Sequence, residues 1–242
     1  MRGLPQPPNL RVIACETVAE ELRPLLSAQV DCQVFDFGLH VNPDSLTHAL
    51  QEAIDAIPAA IETVILGYGL CSQAVVGLRS NQATLIVPRI DDCIGIFLGS
   101  HGAYRRQAAT CPGTYYLNKG WIEAASGPFA EYDQWIARYG EDKARWLMDK
   151  MLAGYTRLAL INTGQYNLER YRKYAKRTAE RFNLRYEEIT GSTALLTKLV
   201  QGPWDEDFVL VPAGRAITFS HFRETAPASL ARIRWYMVLV PE

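Results

Sequence analysis

The chain has 242 residues, of which 48% are hydrophobic and 21% charged, with 25 Lys and Arg against 26 Asp and Glu. That balance predicts a folded core and excludes a disordered chain, and a formal charge of −1 lacks the basic field that neutralises nucleic-acid phosphates. No apolar run approaches the roughly 20 residues that cross a bilayer, and the proline-rich arm at 1–9 lacks the apolar stretch of a signal peptide, so a cytoplasmic protein that meets neither membrane nor nucleic acid is expected.

In chain order, Leu10 to Cys15 (LRVIAC) is a short apolar run that predicts a strand. Helical periodicity follows from Thr17 to about Leu26, and Cys32 to Phe37 alternates like a second strand, which completes a βαβ unit. Asn42-Pro43-Asp44 is a helix start, and Leu46, Leu50, Ala53, Ile54 and Ile57 fall on one face of the helix after it. Thr63 to Leu66 and Thr84 to Val87 are unbroken β-branched and leucine runs, the pattern of parallel strands covered on both faces. Between and after them come a short helical pattern at Gln73 to Leu78 and a helix that begins near Asp92 with Asp91 as its cap. Gly127 to Tyr155 carries two helical stretches and no strand signal. Strands then resume at Arg157 to Ile161, Leu184 to Ile189 and Phe208 to Val211, with helices at Leu168 to Phe182 and Ser192 to Val200, and Trp235 to Val240 offers an added edge strand.

These elements predict an α/β fold of about seven strands, a mostly parallel sheet with helices on both faces, built as two Rossmann-like halves and a helical insertion. The divisions are an arm at 1–9, a first half at 10–126 that carries the cysteines, the insertion at 127–155, a second half at 156–214 and an extension at 215–242.

All five cysteines lie in the first half, an odd and scattered set that reads as reduced thiols. Parallel α/β sheets bind ligands outside the carboxyl ends of their strands. Cys15 ends the first strand, Cys71 follows the third and Cys93 follows the fourth, so all three are expected at one rim, where helix starts favour thiolate. A single buried cysteine is ordinarily a packing residue, but three at corresponding strand ends point to a shared zinc or iron–sulfur centre. His40, after the second strand, is the candidate fourth ligand, although one histidine alone is more often structural. Arg89 and Ser72 near the thiols, with Gly164, Gly191 and Ser192 in the small polar loops of the second half, are candidate ligand-binding residues around a small-molecule cleft. The basic stripe from Arg170 to Arg181 reads as a solvated helix face.

The segments YGLCSQAVVGL (Tyr68 to Leu78), VPRIDDCIGIFLGS (Val87 to Ser100) and PGTYYLNKGW (Pro112 to Trp121), with IACE near the start and FGLHVNP at Phe37 to Pro43, resemble the family known as domain of unknown function 1638. The resemblance covers most of the chain to about Gly214. It implies a cytosolic protein of bacteria and archaea encoded near corrinoid-dependent methyltransferases, hence a corrinoid or methyltransferase protein as partner, and it brings no activity with it. It also implies that Cys15, His40, Cys71, Arg89, Asp92, Cys93 and the Gly113 to Trp121 loop are signature positions, which adds Asp92 to the ligand-binding set. Members often carry histidine where this chain has Asp91, so no histidine ligand is expected there, and Cys32 and Cys111 fall outside the pattern as packing cysteines. The expected function is a metal-binding protein, on zinc or iron–sulfur, linked to one-carbon methyl or sulfur transfer. Its rivals are a metal-free module for a small anion or cofactor fragment, and an enzyme with Cys71 as nucleophile and His40 as base. Enzyme status and a homo-oligomer are left open.

Overall fold

The computed structural model describes residues 9–125 and 127–223, so Trp235 to Val240 and nearly all of the amino-terminal arm lie outside the described residues. The chain runs β1 (Leu10–Cys15), α1 (Glu16–Leu22), β2 (Asp31–Phe35), α2 (Pro43–Asp55), β3 (Thr63–Gly67) and β4 (Thr84–Pro88). It continues with α3 (Cys93–Phe97), α4 (His101–Thr110), β5 (Thr114–Leu117), α5 (Lys119–Glu123), α6 (Pro128–Tyr139) and α7 (Glu141–Met151). Last come β6 (Arg157–Asn162), α8 (Glu169–Arg181), β7 (Arg185–Thr190), α9 (Ala194–Gln201) and β8 (Phe208–Val211).

The strands form two sheets. The first has the order β2-β1-β3-β4-β8, parallel except for β8, and the second has the parallel order β5-β6-β7. The α/β class and the parallel runs are as expected, and so are the two helices at 128–151. Two differences matter. Phe208–Val211 does not extend the second half; it returns to the first sheet and pairs antiparallel with β4, Val87 opposite Val209. Strand β5 and helix α4 carry no signal in the sequence reading, yet β5 opens the second sheet ahead of α6 and α7.

Because successive strand residues face opposite ways, the first sheet feeds two cores. Val12, Ala14, Ile65 and Ile86 join Tyr116, Ala159, Ile161 and Ile189 of the second sheet, with Val18 of α1, Phe97 of α3 and Leu196 of α9 between them. Ile13, Cys15, Leu66 and Leu85 face the other way, onto Leu46, Leu50 and Ile54 of α2. That helix starts as read, with Asn42 accepting from the Ser45 amide and Pro43 in its first turn. Tyr171, Ala175 and Ala179 of α8 cover the outer face of the second sheet. No helix of the described residues is long and apolar enough to cross a membrane.

Helices α1 and α5 touch through backbone, because a Cβ on Gly120 would stand 2.7 Å from the Cα of Thr17, which is fully buried. A clash with backbone has no rotamer by which to relax. Gly120→Ala is therefore expected to destabilise the fold by about 1–3 kcal/mol in urea unfolding, and an unchanged midpoint would contradict this contact.

Candidate functional site

The strand order places a topological switch at β1, since β2 and β3 lie on opposite sides of it and their connections leave in opposite directions. Cys15 is the last residue of β1 and the cap of α1, 2% exposed, with Sγ 3.4 Å from Thr17 Oγ1. Cys71 opens the 3-10 turn Cys71–Gln73 after β3 and is 8% exposed. Cys93, half-buried, is the first residue of α3 after β4. The cap of that helix is Asp92, not Asp91 as the sequence reading had it: Asp92 Oδ1 accepts from the Ile94 amide at 2.8 Å, while Asp91 turns outward to His101 at 3.6 Å.

Backbone hydrogen bonds tie the second and third thiol loops together. The Leu70 amide donates to the Ile90 carbonyl at 2.9 Å and the Cys71 amide to the Asp91 carbonyl at 3.0 Å. Gly69 sits in this seam, where a Cβ would meet Ile90 O at 2.9 Å and Asp92 N at 3.0 Å, so the approach requires glycine. Cys71 and Gln73 both hold positive φ, 45° and 72°, conformations that non-glycine residues keep only when their surroundings impose them. Gln73 thereby ends the turn, and the helix expected over Gln73 to Leu78 does not form.

Each of the three thiols is held above its ordinary pKa. Burial raises the pKa of each; at Cys93 the next cause is the charge of Cys71, and at Cys71 it is Asp92, followed among the raising causes by Cys15. Backbone amides of Gly69 and Cys93 act the other way and favour a Cys71 thiolate. Asp92 is pushed up to about 6 by burial, in spite of its bonds from the Ile94 amide and from Tyr104 Oη at 3.2 Å. Tyr68, between two glycines, is 1% exposed, and its hydroxyl has no hydrogen-bond partner among the described residues. Burial raises its pKa, and the residue packs in the same buried cluster as Cys15 and Cys71. Tyr68 opens the segment YGLCSQAVVGL, yet neither it nor Tyr104 was among the site residues expected from the sequence.

His40 lies in the turn Phe37–Val41, its ring stacked on Phe37 at 5.0 Å and on Tyr68 at 5.9 Å. Nδ1 is 3.0 Å from the Phe37 carbonyl, and burial lowers the pKa, which keeps the ring neutral at pH 7. With Nδ1–H donated to that carbonyl, the Nε2 lone pair is left for another partner.

The other candidate residues sit in different roles. Arg89 donates Nε to Glu206 O at 3.0 Å, Nη2 to Phe208 O at 3.1 Å and Nη1 to His221 O, so its fork holds backbone and faces no open anion position. The Gly164 amide is taken by Asn162 Oδ1, the Gly191 amide by Asn162 O, and the Ser192 amide by Phe97 O at the end of α3 opposite Cys93. Ser192 Oγ caps α9 through the Ala194 amide. Ser72 follows Cys71 in its turn. Cys32 packs against the shared core, whereas Cys111 stands apart beside Arg185, 3.9 Å from its guanidinium. Among the described residues no three His, Cys, Asp or Glu side chains stand in a metal-ligating arrangement, so the thiols are neighbours without being a closed ligand set.

Compared with known proteins, residues 34–200 match a family model described as "Protein of unknown function (DUF1638)", a span that includes His40, Cys71 and Cys93 and begins after Cys15. No curated protein and no solved structure matches the chain.

Asp92 gives a pH test in the metal-free protein. Its folded pKa of about 6 lies above the ordinary 3.8, so the protonated form favours folding, fully below the lower value and progressively less as pH rises through the higher. Asp92→Asn retains the cap and removes the charge. Relative to the unsubstituted protein it is expected to gain about 1–3 kcal/mol between about pH 4 and about pH 7 in urea unfolding, and a parallel pH profile would contradict the buried charge.

Proposed function

The chain belongs to the family described as Protein of unknown function (DUF1638), and for this member we propose a metal-binding function, with zinc or an iron–sulfur cluster held by Cys15, Cys71 and Cys93 and His40 as fourth ligand. The observation that supports the proposal is that Cys15, Cys71 and Cys93 stand at or just after the carboxyl ends of β1, β3 and β4, beside the switch point of the sheet, with the Cys71 amide bonded to the Asp91 carbonyl two residues before Cys93. A pocket that raises each thiol's pKa disfavours isolated thiolates, and a cation supplies the charge that lets several form together. Binding then releases protons and tightens as pH rises. The sulfurs must draw together on the ion, since they do not converge without it.

His40 has the form that ligating histidines take, one ring nitrogen on a backbone carbonyl and the other free. With His40 bound the set is closed and structural. Without it the fourth position is open to a small molecule, which is what methyl or sulfur transfer at the site would require. The rival readings gain less. A nucleophilic Cys71 needs a lowered pKa and has a raised one, and an anion module needs free amides where those of Gly164, Gly191 and Ser192 are engaged.

Metal and acid-labile sulfide analysis of anaerobically purified protein tests the proposal. The expected result is about one equivalent of zinc, or about four iron with matching sulfide, lost in the Cys71→Ala, Cys93→Ala double variant; less than about a tenth of an equivalent of any transition metal would overturn it.

A further inference from the structure

We infer that the groove along α8 is a binding site for a nucleoside polyphosphate, with Arg170, Lys173 and Arg177 holding the phosphates and Tyr174 as the wall for the base. The groove has a volume of about 740 Å³ and starts at Asn167, just before α8 and beyond the carboxyl end of β6. Small-molecule sites span roughly 300–1,000 Å³, and those of parallel α/β sheets gather at that edge. Tyr171 and Tyr174 pack in a cluster of the second sheet that holds none of the three thiols, so the site does not depend on the metal-binding proposal.

From sequence alone the basic stripe on α8 is a solvated face, but its cations are not equivalent. Arg172 pairs with Glu188 at 2.8 Å and Glu169 at 3.1 Å, Arg181 pairs with Asp133 at 2.7 Å, and Lys176 lies over the Tyr186 ring at 5.5 Å. Arg170 and Arg177 form no ion pair among the described residues, and both stay exposed in the groove. Glu169, the acid of the groove, is drawn to Arg172 and, at 3.8 Å, to Lys173. Seven residues of helix set Arg170 and Arg177 on one face about 10 Å apart, with Lys173 between them, and long side chains can close that span on a short run of phosphates. Arginine forks grip phosphate oxygens in pairs and lysine acts as a point charge. Tyr174, half-buried beside them, offers the aromatic face on which a base stacks. A long nucleic-acid strand would meet a molecule of net charge −1 beyond these three cations, so the short polyphosphate is the better fit.

Calorimetric titration of the full chain with ATP and with tripolyphosphate at low ionic strength is the test. Saturable ATP binding is expected, tighter than that of tripolyphosphate, weakened by added salt, and reduced about tenfold or more in the Arg170→Gln, Arg177→Gln double variant. A Lys143→Gln, Arg145→Gln double variant, which removes the same charge from exposed positions of α7, should bind ATP as the unsubstituted chain does. Both double variants should keep the thermal midpoint. No ATP binding, ATP bound no more tightly than tripolyphosphate, or equal losses in the two double variants would overturn the inference. So would a groove variant that melts lower or fails to fold, because its guanidiniums would then serve the fold, and so would a single-stranded oligonucleotide that binds more tightly than ATP.

Discussion

Two backbone hydrogen bonds, from the amides of Leu70 and Cys71 to the carbonyls of Ile90 and Asp91, fasten the loops that carry Cys71 and Cys93 to each other. Parallel strands alone bring loops to the same edge but leave them free to splay. Here the loop after β3 is fastened to the loop after β4, with Gly69 at the point of closest approach and Cys71 held in a left-handed conformation by the seam. The backbone strain at Cys71 falls at the residue that carries the sulfur.

The remainder of the fold fixes the two sides of that seam. On one side, Cys15 belongs to a central strand whose flanking residues serve both cores, so its position follows from packing on α1 and α2 together. On the other, Arg89 follows β4 directly, and its guanidinium binds three carbonyls around β8 and the turn at His221. The antiparallel return of β8 thus anchors the base of the segment that leads to Asp92 and Cys93. Arg89 contributes to the site by holding its scaffold, which differs from the anion-binding role its chemistry invites.

The parts legible in the sequence are those that depend on local pattern. Unbroken runs such as TVIL and TLIV announced buried parallel strands, Asn42-Pro43 announced a helix, and the order of strands was enough to place Cys15, Cys71 and Cys93 at a common rim. Long-range pairing was not legible. Phe208–Val211 looks the same whichever sheet it joins, and the carbonyls that bind Arg89 lie 117, 119 and 132 residues away. Strand β5 escaped notice because it has four residues and polar flanks. Adjacent aspartates leave the helix cap ambiguous by one position, and the extended backbone of Asp92 with its bond from the Ile94 amide resolves it.

X-ray absorption at the metal edge of the loaded protein tests most directly whether these sulfurs share one centre. Sulfur scatterers from three cysteines at about 2.3 Å are expected, lost in part when Cys15 alone is replaced by serine. A first shell of nitrogen and oxygen only, or one that is unchanged in that variant, would contradict the common thiol pocket.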